Sequence, residues 1–440
     1  MVFNSLQYLV FFPVVFVLYW QLKRRGQNLL LLLASWFFYA MWDWRFLGLN
    51  LTVLGFFKYF DFFIGSAADL LRAFGFDGSE PTLRILLPVG ISFYTFHGIS
   101  YTFDVYRRDI EPADDLLDFA VFVAFFPQLV AGPIGRAHIQ LPQFEHDRPR
   151  LTWDQARSGL CLILLGLFKK VAIADALAPF VDRTFTDAGS ASWVNLLFGA
   201  YAFALQIYGD FAGYSDMARG ISQLFGIELN VNFRFPYTVT NPREFWRHWH
   251  ISLSTWLRDY LYKPLGGSRG GRWATNRNLL ITMVLGGLWH GAAWSFVLWG
   301  AYQGVWLIAH RGYEAWRGVR TRTSRAATIG AAIGAWLVAL HLICYGWLLF
   351  RARSFEQIRA MTWALLTDWR ISLEVAPEVW TLIGFGLPLV LLHAFEWWKD
   401  DLLAVPRLPL VPRYAVYGAL FYLILLFGSF GGAQFIYFQF

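Results

Sequence analysis

NPREFWRHWHISLSTWLRDYLYKPLGGSRGGRWATNRNLLITMVLGGLWHG, residues Asn241 to Gly291, is the stretch on which the reading of this chain turns. It opens with an Arg- and Trp-rich segment too charged to be a simple membrane span. It closes with His290 at the end of Leu279 to Trp289, a run with no charged residue. On a helix, Gly286 and Gly287 share the face of His290 and lie on the turn beneath it, because helical side chains lean back toward the N-terminus. Two readings stand for the glycines: open space beside the imidazole, or a small-residue seam for helix packing. For His290 the bland reading is a buried ring bonded to a backbone carbonyl. An ionisable group inside a membrane is costly, however, and that cost makes His290 the leading functional candidate.

Placed on one helix, Trp246, Trp249, Leu253, Trp256 and Tyr260 form an aromatic stripe. Arg243, Arg247, His250, Ser254 and Arg258 form the neighbouring, cationic one. Such a helix suits the membrane interface beside anionic lipid. It equally suits a cavity wall that holds an anionic substrate, such as a phosphorylated cofactor. Arginines close to His250 would disfavour its protonated form. His248 falls off the stripe and reads as interfacial. LGGSRGG, after Pro264, lacks the strand and helix context of a phosphate loop and reads as a turn.

Working outward, 57% of the 440 residues are hydrophobic, 19% are aromatic and only 15% are charged. That balance excludes an ordinary soluble domain and indicates a polytopic membrane protein. Cys161 and Cys344 both sit in apolar runs far apart, as packing residues do, and no metal set is expected. The formal net charge of +7 comes from Arg and Lys gathered in short loops. It reports topology and contact with membrane lipids, not nucleic acid. The first twenty residues lack a basic leader and a small-residue cleavage site, and they read as a retained first span.

Spans of mostly apolar residues are expected near 5–22, 28–44, 46–64, 84–105, 116–134, 158–181, 192–214, 278–291, 293–310, 328–350, 378–397 and 412–430. Pro88 with Gly90, and Pro127 with Gly132 and Pro133, break two of them. Lys169 and Lys170 interrupt another, and Asp210 and Asp216 flank the tip of a further one. Irregular backbone at membrane depth survives only inside protein or beside water, so these breaks predict a tunnel rather than a plain bundle. Residues 1–440 are read as a single membrane-embedded domain. Lys23, Arg24 and Arg25, and later Arg311, Arg317, Arg320, Arg322 and Arg325, place their loops in the cytoplasm, with the 241–262 helix and a loop through Arg277 approaching from the same side. Asp210, Tyr214, Ser215 and Asp216 form a polar island that could line the tunnel, though satisfying helix ends is the favoured reading. Asp104 and Arg107 are spaced to pair. His341 and His393 read as satisfied core residues.

FWRHWHISLSTWLRDYLYKPLGG followed by LLITMVLGGLWHGAAWSFVLWG closely resembles the membrane-bound O-acyltransferase (MBOAT) family. The likeness extends to LPVGISFYTFHGISYTFDVYR, FVAFFPQLVAGPIGR, FKKVAIAD and YGDFAGYSDMA, and so covers most of the chain. The resemblance implies an all-α, polytopic transmembrane fold with broken or re-entrant helices around a central tunnel. It places the family's catalytic histidine, in its W-H-G context, on His290, and the second motif histidine, in an R-x-W-H context, on His250. Here His248 stands where many relatives have Arg. Relatives also carry an additional hydrophobic pair before FFKYFDFF, which predicts a break or a tight connection at Asn50–Leu51.

The implied activity is acyl transfer from a cytosolic thioester to a hydroxyl. Acetyl-CoA is the expected donor, with no bound cofactor, and Arg243, Arg247 and Arg258 are the candidate residues for its phosphates. The acetyl group would move across a bacterial inner membrane toward a cell-envelope polysaccharide such as alginate, with a periplasmic acetyltransferase as partner. His290 would be the general base. An alternative within the family exports D-alanyl groups from a carrier-protein thioester. A transporter or channel would also tolerate broken helices, but would show inverted repeats, which the sequence lacks.

Overall fold

The computed structural model describes residues 3–40, 52–74, 91–129, 131–186, 192–318, 325–370 and 376–430. All regular structure among them is helical. The Asn50–Leu51 junction and the Pro88 and Gly90 break lie outside the described residues. The chain divides into two compact units. One takes Met1–Leu151, Ser222–Leu229 and Gly291–Ala293, and the other takes Thr152–Ile221, Asn230–His290 and Trp294–Phe440.

The first unit holds α1 (Leu6–Trp20), α2 (Arg24–Ala40), α3 (Thr52–Ala73), α4 (Ile91–Tyr106) and α5 (Leu116–Ala124), then the short α6 (Phe126–Leu129), α7 (Ala137–Gln140) and α8 (Pro142–Glu145). The Ser5 hydroxyl caps α1 by accepting from the Tyr8 amide. The expected break near Pro127 is present, since α5 stops at Ala124 and only single turns follow. Buried polar groups hold these turns. Gly135 N–H donates to His97 Nε2 at 2.8 Å, and Gln140 donates to Gln128 at 2.6 Å. Asp118 accepts from Arg24 at 2.7 Å and from Asn28 at 2.6 Å. The basic start of α2 is therefore tied to a carboxylate of its own unit. Asp104 lies 3.5 Å from His138.

The second unit holds α9 (Trp153–Leu167), a π-helical turn (Phe168–Ala174), α10 (Asp175–Thr186), α11 (Trp193–Leu224), α12 (Pro242–His248), α13 (Ile251–Leu257), a second π-helical turn (Arg258–Tyr262), α14 (Gly271–His290), α15 (Trp294–Arg317), α16 (Arg325–Arg351), α17 (Phe355–Thr367), α18 (Ala376–Lys399) and α19 (Leu410–Phe427). Thr152 and Gln155 form a reciprocal capping box at the start of α9. Among the described residues three helical stretches are long and apolar enough to cross a membrane: Ile329–Arg351, Val379–Lys399 and Leu410–Phe427. They match the last three expected spans.

Two expected interruptions are resolved differently. The chain stays helical through Lys169 and Lys170, widening into the first π turn. Helix α11 runs unbroken through YGDFAGYSDMA, so Asp210, Tyr214, Ser215 and Asp216 lie in a helix interior and cap no helix end. The reason is mutual charge compensation. Lys169 Nζ lies 2.7 Å from Asp216, and Lys170 Nζ lies 2.7 Å from Asp175 and 2.8 Å from Asp210. The helices approach closely enough because they meet at glycines. A β-carbon on Gly213 would sit 2.7 Å from the Gly166 carbonyl oxygen and 3.0 Å from the Lys170 amide.

Both cysteines are free and buried, as expected. His341 and His393 are satisfied, by Tyr201 at 2.8 Å and Tyr208 at 3.0 Å, yet neither is a core residue. His341 is exposed and His393 half-buried. Arg277 is no loop residue, because α14 begins at Gly271.

Removing one partner of a buried ion pair leaves an uncompensated charge, at a cost of about 3–5 kcal/mol. Lys170→Met is therefore expected to lower the unfolding temperature of the detergent-solubilised protein by several degrees. Adding Asp175→Asn and Asp210→Asn should recover most of the loss. Thermal unfolding of the single and triple variants, compared with the wild type, checks both.

Candidate active site

Residues 241–262 do not form one continuous helix. Asn241 caps α12 by accepting from the Glu244 amide at 2.9 Å, and Pro242 fills the first helical position. The helix stops at His248, and α13 starts at Ile251. Between them His250 takes a left-handed backbone conformation, φ +42° and ψ +55°. That reversal turns Trp249 and His250 inward and ends the stripe drawn through the arginines. His250 is only 1% exposed, whereas Arg247 is exposed.

The corner is pinned by a residue that the sequence did not single out. Asn232 donates from Nδ2 to the Ser215 hydroxyl on α11 at 3.0 Å. Its Oδ1 accepts from the Ser252 hydroxyl at 2.6 Å, and its carbonyl accepts from the Ile251 amide at 2.9 Å. All three side chains are buried. Asn232 stands in NVNFRF, with Asn230 and Arg234 two residues either side, and no motif spacing marks it.

His290 is the last residue of α14 and is 8% exposed. Its ring meets Trp299 edge-on, with centroids 5.1 Å apart, and Phe350 likewise at 5.3 Å. Trp289 lies 4.9 Å from His290 and 6.3 Å from His250, so one indole touches both imidazoles. Phe211 of α11 packs edge-on against His250 at 4.6 Å. From α12 a train of rings leads to the same place: Phe245 stacks on Trp249, Trp249 meets Trp347 at 4.6 Å, and Trp347 stacks with Trp299. Aromatic walls of this kind exclude water and fix ring orientation.

The glycines beneath His290 serve packing and leave no open space. A β-carbon on Gly287 would run into the Phe296 carbonyl oxygen and lie 3.0 Å from Gly300 on α15. One on Gly286 would lie 3.1 Å from Leu257. Close approach of α14 and α15 is what brings Trp299 against His290. LGGSRGG is a turn, with Gly266, Gly267, Gly270 and Gly271 all at positive φ.

Neither His250 nitrogen has a hydrogen-bond partner among the described residues. Its ring lies in the corner between two short helices, outside the spanning ones. Burial, and then the neighbouring His290, hold its pKa well below the ordinary histidine value. The exposed arginines are not the cause. Of the three candidate donor-binding arginines, Arg243 and Arg247 share α12 and Arg258 opens the second π turn. Arg243 pairs with Glu314 on α15 at 2.6 Å, Arg258 pairs with Asp259 at 3.0 Å, and Arg247 is exposed with no carboxylate partner among the described residues. The structure therefore gathers the two histidines round one tryptophan and leaves Arg243 and Arg247 one turn apart on α12, with Arg258 beyond the corner.

Residues 113–350, more than half of the chain, match the profile of MBOAT, the membrane-bound O-acyltransferase family. The stretch includes the paired lysines, α11, His250 and His290. Over 410 residues the chain is 41% identical to "Probable alginate O-acetylase AlgI" of Azotobacter vinelandii, covering 84% of this chain and 80% of that protein. It is 36% identical over 410 residues to "Peptidoglycan O-acetyltransferase" of Helicobacter pylori, covering 79% and 76%. It is 26% identical over 292 residues to "Teichoic acid D-alanyltransferase" of Bacillus subtilis, covering 63% and 72%. With its helical build, its apolar spanning helices and these likenesses, the chain is a membrane protein that belongs to the membrane-bound O-acyltransferase family.

Proposed function

We propose that this protein transfers an acetyl group from acetyl-CoA on the cytosolic side, through a tunnel, toward hydroxyls of a cell-envelope polysaccharide outside a bacterial inner membrane. The observation that carries the reading is His290. It ends an apolar helix inside an aromatic enclosure and shares the Trp289 ring with His250. In the proposed step the neutral His290 imidazole takes the proton of an acceptor hydroxyl. The oxygen attacks the thioester carbonyl carbon, the carbon–sulfur bond breaks, and the thiolate leaves and regains a proton from the imidazolium. The acceptor becomes an ester and the donor a free thiol. A water-excluding site suits this chemistry, because a thioester exposed to water is open to hydrolysis.

His250, buried and neutral beside the site, orients the acceptor or the catalytic ring in this proposal. Arg247 carries the donor-binding part, because Arg243 and Arg258 are already engaged by carboxylates. A periplasmic acetyltransferase would complete delivery to the polymer. Export of D-alanyl groups from a carrier-protein thioester is the second reading, favoured by the teichoic acid relative. The higher identity to proteins named as O-acetylating supports acetyl as the first reading.

Purified protein given labelled acetyl-CoA and an oligosaccharide acceptor tests the reading. General base catalysis contributes about a hundred- to ten-thousand-fold, so His290→Ala should lose transfer on that scale while eluting as a single folded species that still binds donor. Wild-type rates from that variant would remove His290 from the mechanism. His250→Ala should be impaired less severely. Arg247→Ala should raise the KM for donor by roughly tenfold, more than it lowers kcat, as loss of one charge-assisted contact predicts. Unchanged donor dependence would assign Arg247 to lipid or to structure.

Asn232 positions the His250 corner, and misplacement of about 1 Å can cost a hundredfold in rate. Asn232→Ala should therefore lower kcat by up to about that factor with little change in KM. It should also lose about 1–3 kcal/mol of stability from the buried hydrogen bonds that Asn232 makes. Steady-state kinetics beside thermal unfolding separates the two effects.

A further inference from the structure

Away from both histidines, α15 and α16 part to leave a cavity of about 820 Å³. The second half of α16 is closed against α15, where Tyr302 donates to the Leu342 carbonyl at 2.8 Å and a β-carbon on Gly346 would lie 2.9 Å from Gln303. Toward the start of α16 the contact ends. Residues 331–338 are exposed, with Trp336 donating to the Tyr237 carbonyl at 2.8 Å, although Ile329–Arg351 is one of the stretches apolar enough to span a membrane. One wall of the wedge is the small-residue face of Ala331, Gly334 and Ala335, and a β-carbon on Gly334 would meet nothing within 4 Å. Trp306, His310 and Tyr313 of α15 form the opposite wall.

The mouth of the wedge is cationic. Glu314 lies 2.6 Å from Arg243 and 3.4 Å from His310, so its charge is already met. Arg317, one turn on, lines the cavity and lies over the Tyr313 ring at 6.0 Å. It has no carboxylate partner among the described residues. Trp316, at the same level, is 82% exposed, as aromatic residues at a membrane–water boundary are. Below it the surface beside the opening is apolar and exposed at Val305, Ile333 and Val338. The wedge therefore opens sideways along a helix apolar enough to span a membrane, with the Arg317 guanidinium, which has no carboxylate partner among the described residues, at its polar end.

We propose that this wedge holds one anionic membrane phospholipid, an acyl chain lying along the small-residue face of α16 and the headgroup phosphate on Arg317. The volume lies within the range of sites that enclose a ligand of some hundreds of Å³. A chain takes the place that a neighbouring helix would otherwise fill, and the small face admits it. The headgroup supplies the negative charge that Arg317 lacks, as juxtamembrane basic residues attract anionic lipid. A zwitterionic lipid would fill the groove and leave less favourable charge at the mouth.

The test uses the full chain in nanodiscs of phosphatidylcholine with a fixed fraction of phosphatidylglycerol, released into mild detergent for native mass spectrometry. Wild type should retain one phosphatidylglycerol per chain, enriched over the bulk ratio. Arg317→Gln should reduce that enrichment about fivefold without reducing total retained lipid, the factor expected for one basic residue at a membrane surface. Gly334→Trp should abolish retention of either lipid by filling the wedge. Arg370→Gln, at an exposed arginine held by Asp368, is the control and should change nothing. Retention at the bulk ratio, enrichment unchanged in Arg317→Gln, or a lipid-free dimer in which a second copy covers the wedge would each overturn the proposal. If Gly334→Trp fails to fold, the Arg317→Gln comparison decides alone, since that side chain is exposed.

Discussion

A lysine ammonium taken out of water must meet a carboxylate, and the second unit is arranged so that two consecutive lysines both do. Lys169 reaches Asp216 and Lys170 reaches Asp175 and Asp210. In a regular α-helix adjacent residues point about 100° apart, so one neighbouring helix cannot ordinarily serve both. The π-helical turn at Phe168–Ala174 and the glycines at 166 and 213 supply the local change of geometry and the proximity. Once those pairs are made, α11 is fixed against α9 and α10. Helix α11 then offers Ser215 to Asn232 and Phe211 to His250. The histidine corner thus depends on ion pairs made by the residues next to Phe211 and Ser215 on the same helix.

The position of His290 is set by a second close approach, of backbone to backbone. Gly287 and Gly300 let α14 and α15 touch, and the contact places Trp299 edge-on to the imidazole. A methyl group in that seam would push apart the two helices that enclose the ring. Burial of aromatic surface then holds the arrangement, since Trp249, Trp299 and Trp347 are among the largest fully buried side chains. Polar contacts set where the chain turns, and ring packing sets how tightly it closes.

Much of this could be read before any coordinates. An uncharged run ending in histidine is legible because charge and hydropathy are local properties. The Gly-rich turn after Pro264 is legible because glycine pattern and positive φ are closely linked. The helix at 241–262 misled for the converse reason: its stripes were consistent with helical periodicity, yet periodicity cannot reveal one residue in a left-handed conformation. Asp210 and Asp216 misled too, because a carboxylate inside an apolar helix looks like a helix end until its lysine is found far away in sequence. Asn232 was invisible, since all its side-chain partners are tertiary. The glycines under His290 were open to two readings, and only the neighbouring helix decides between them.

His250 adopts a backbone conformation that costs a residue with a β-carbon about 1–2 kcal/mol and costs glycine nothing. Its ring is removed from water, and neither nitrogen finds a partner among the described residues. On both counts, selection for folding alone would replace it with glycine. A histidine there is a net burden on the folded state, which supports the role proposed for its ring.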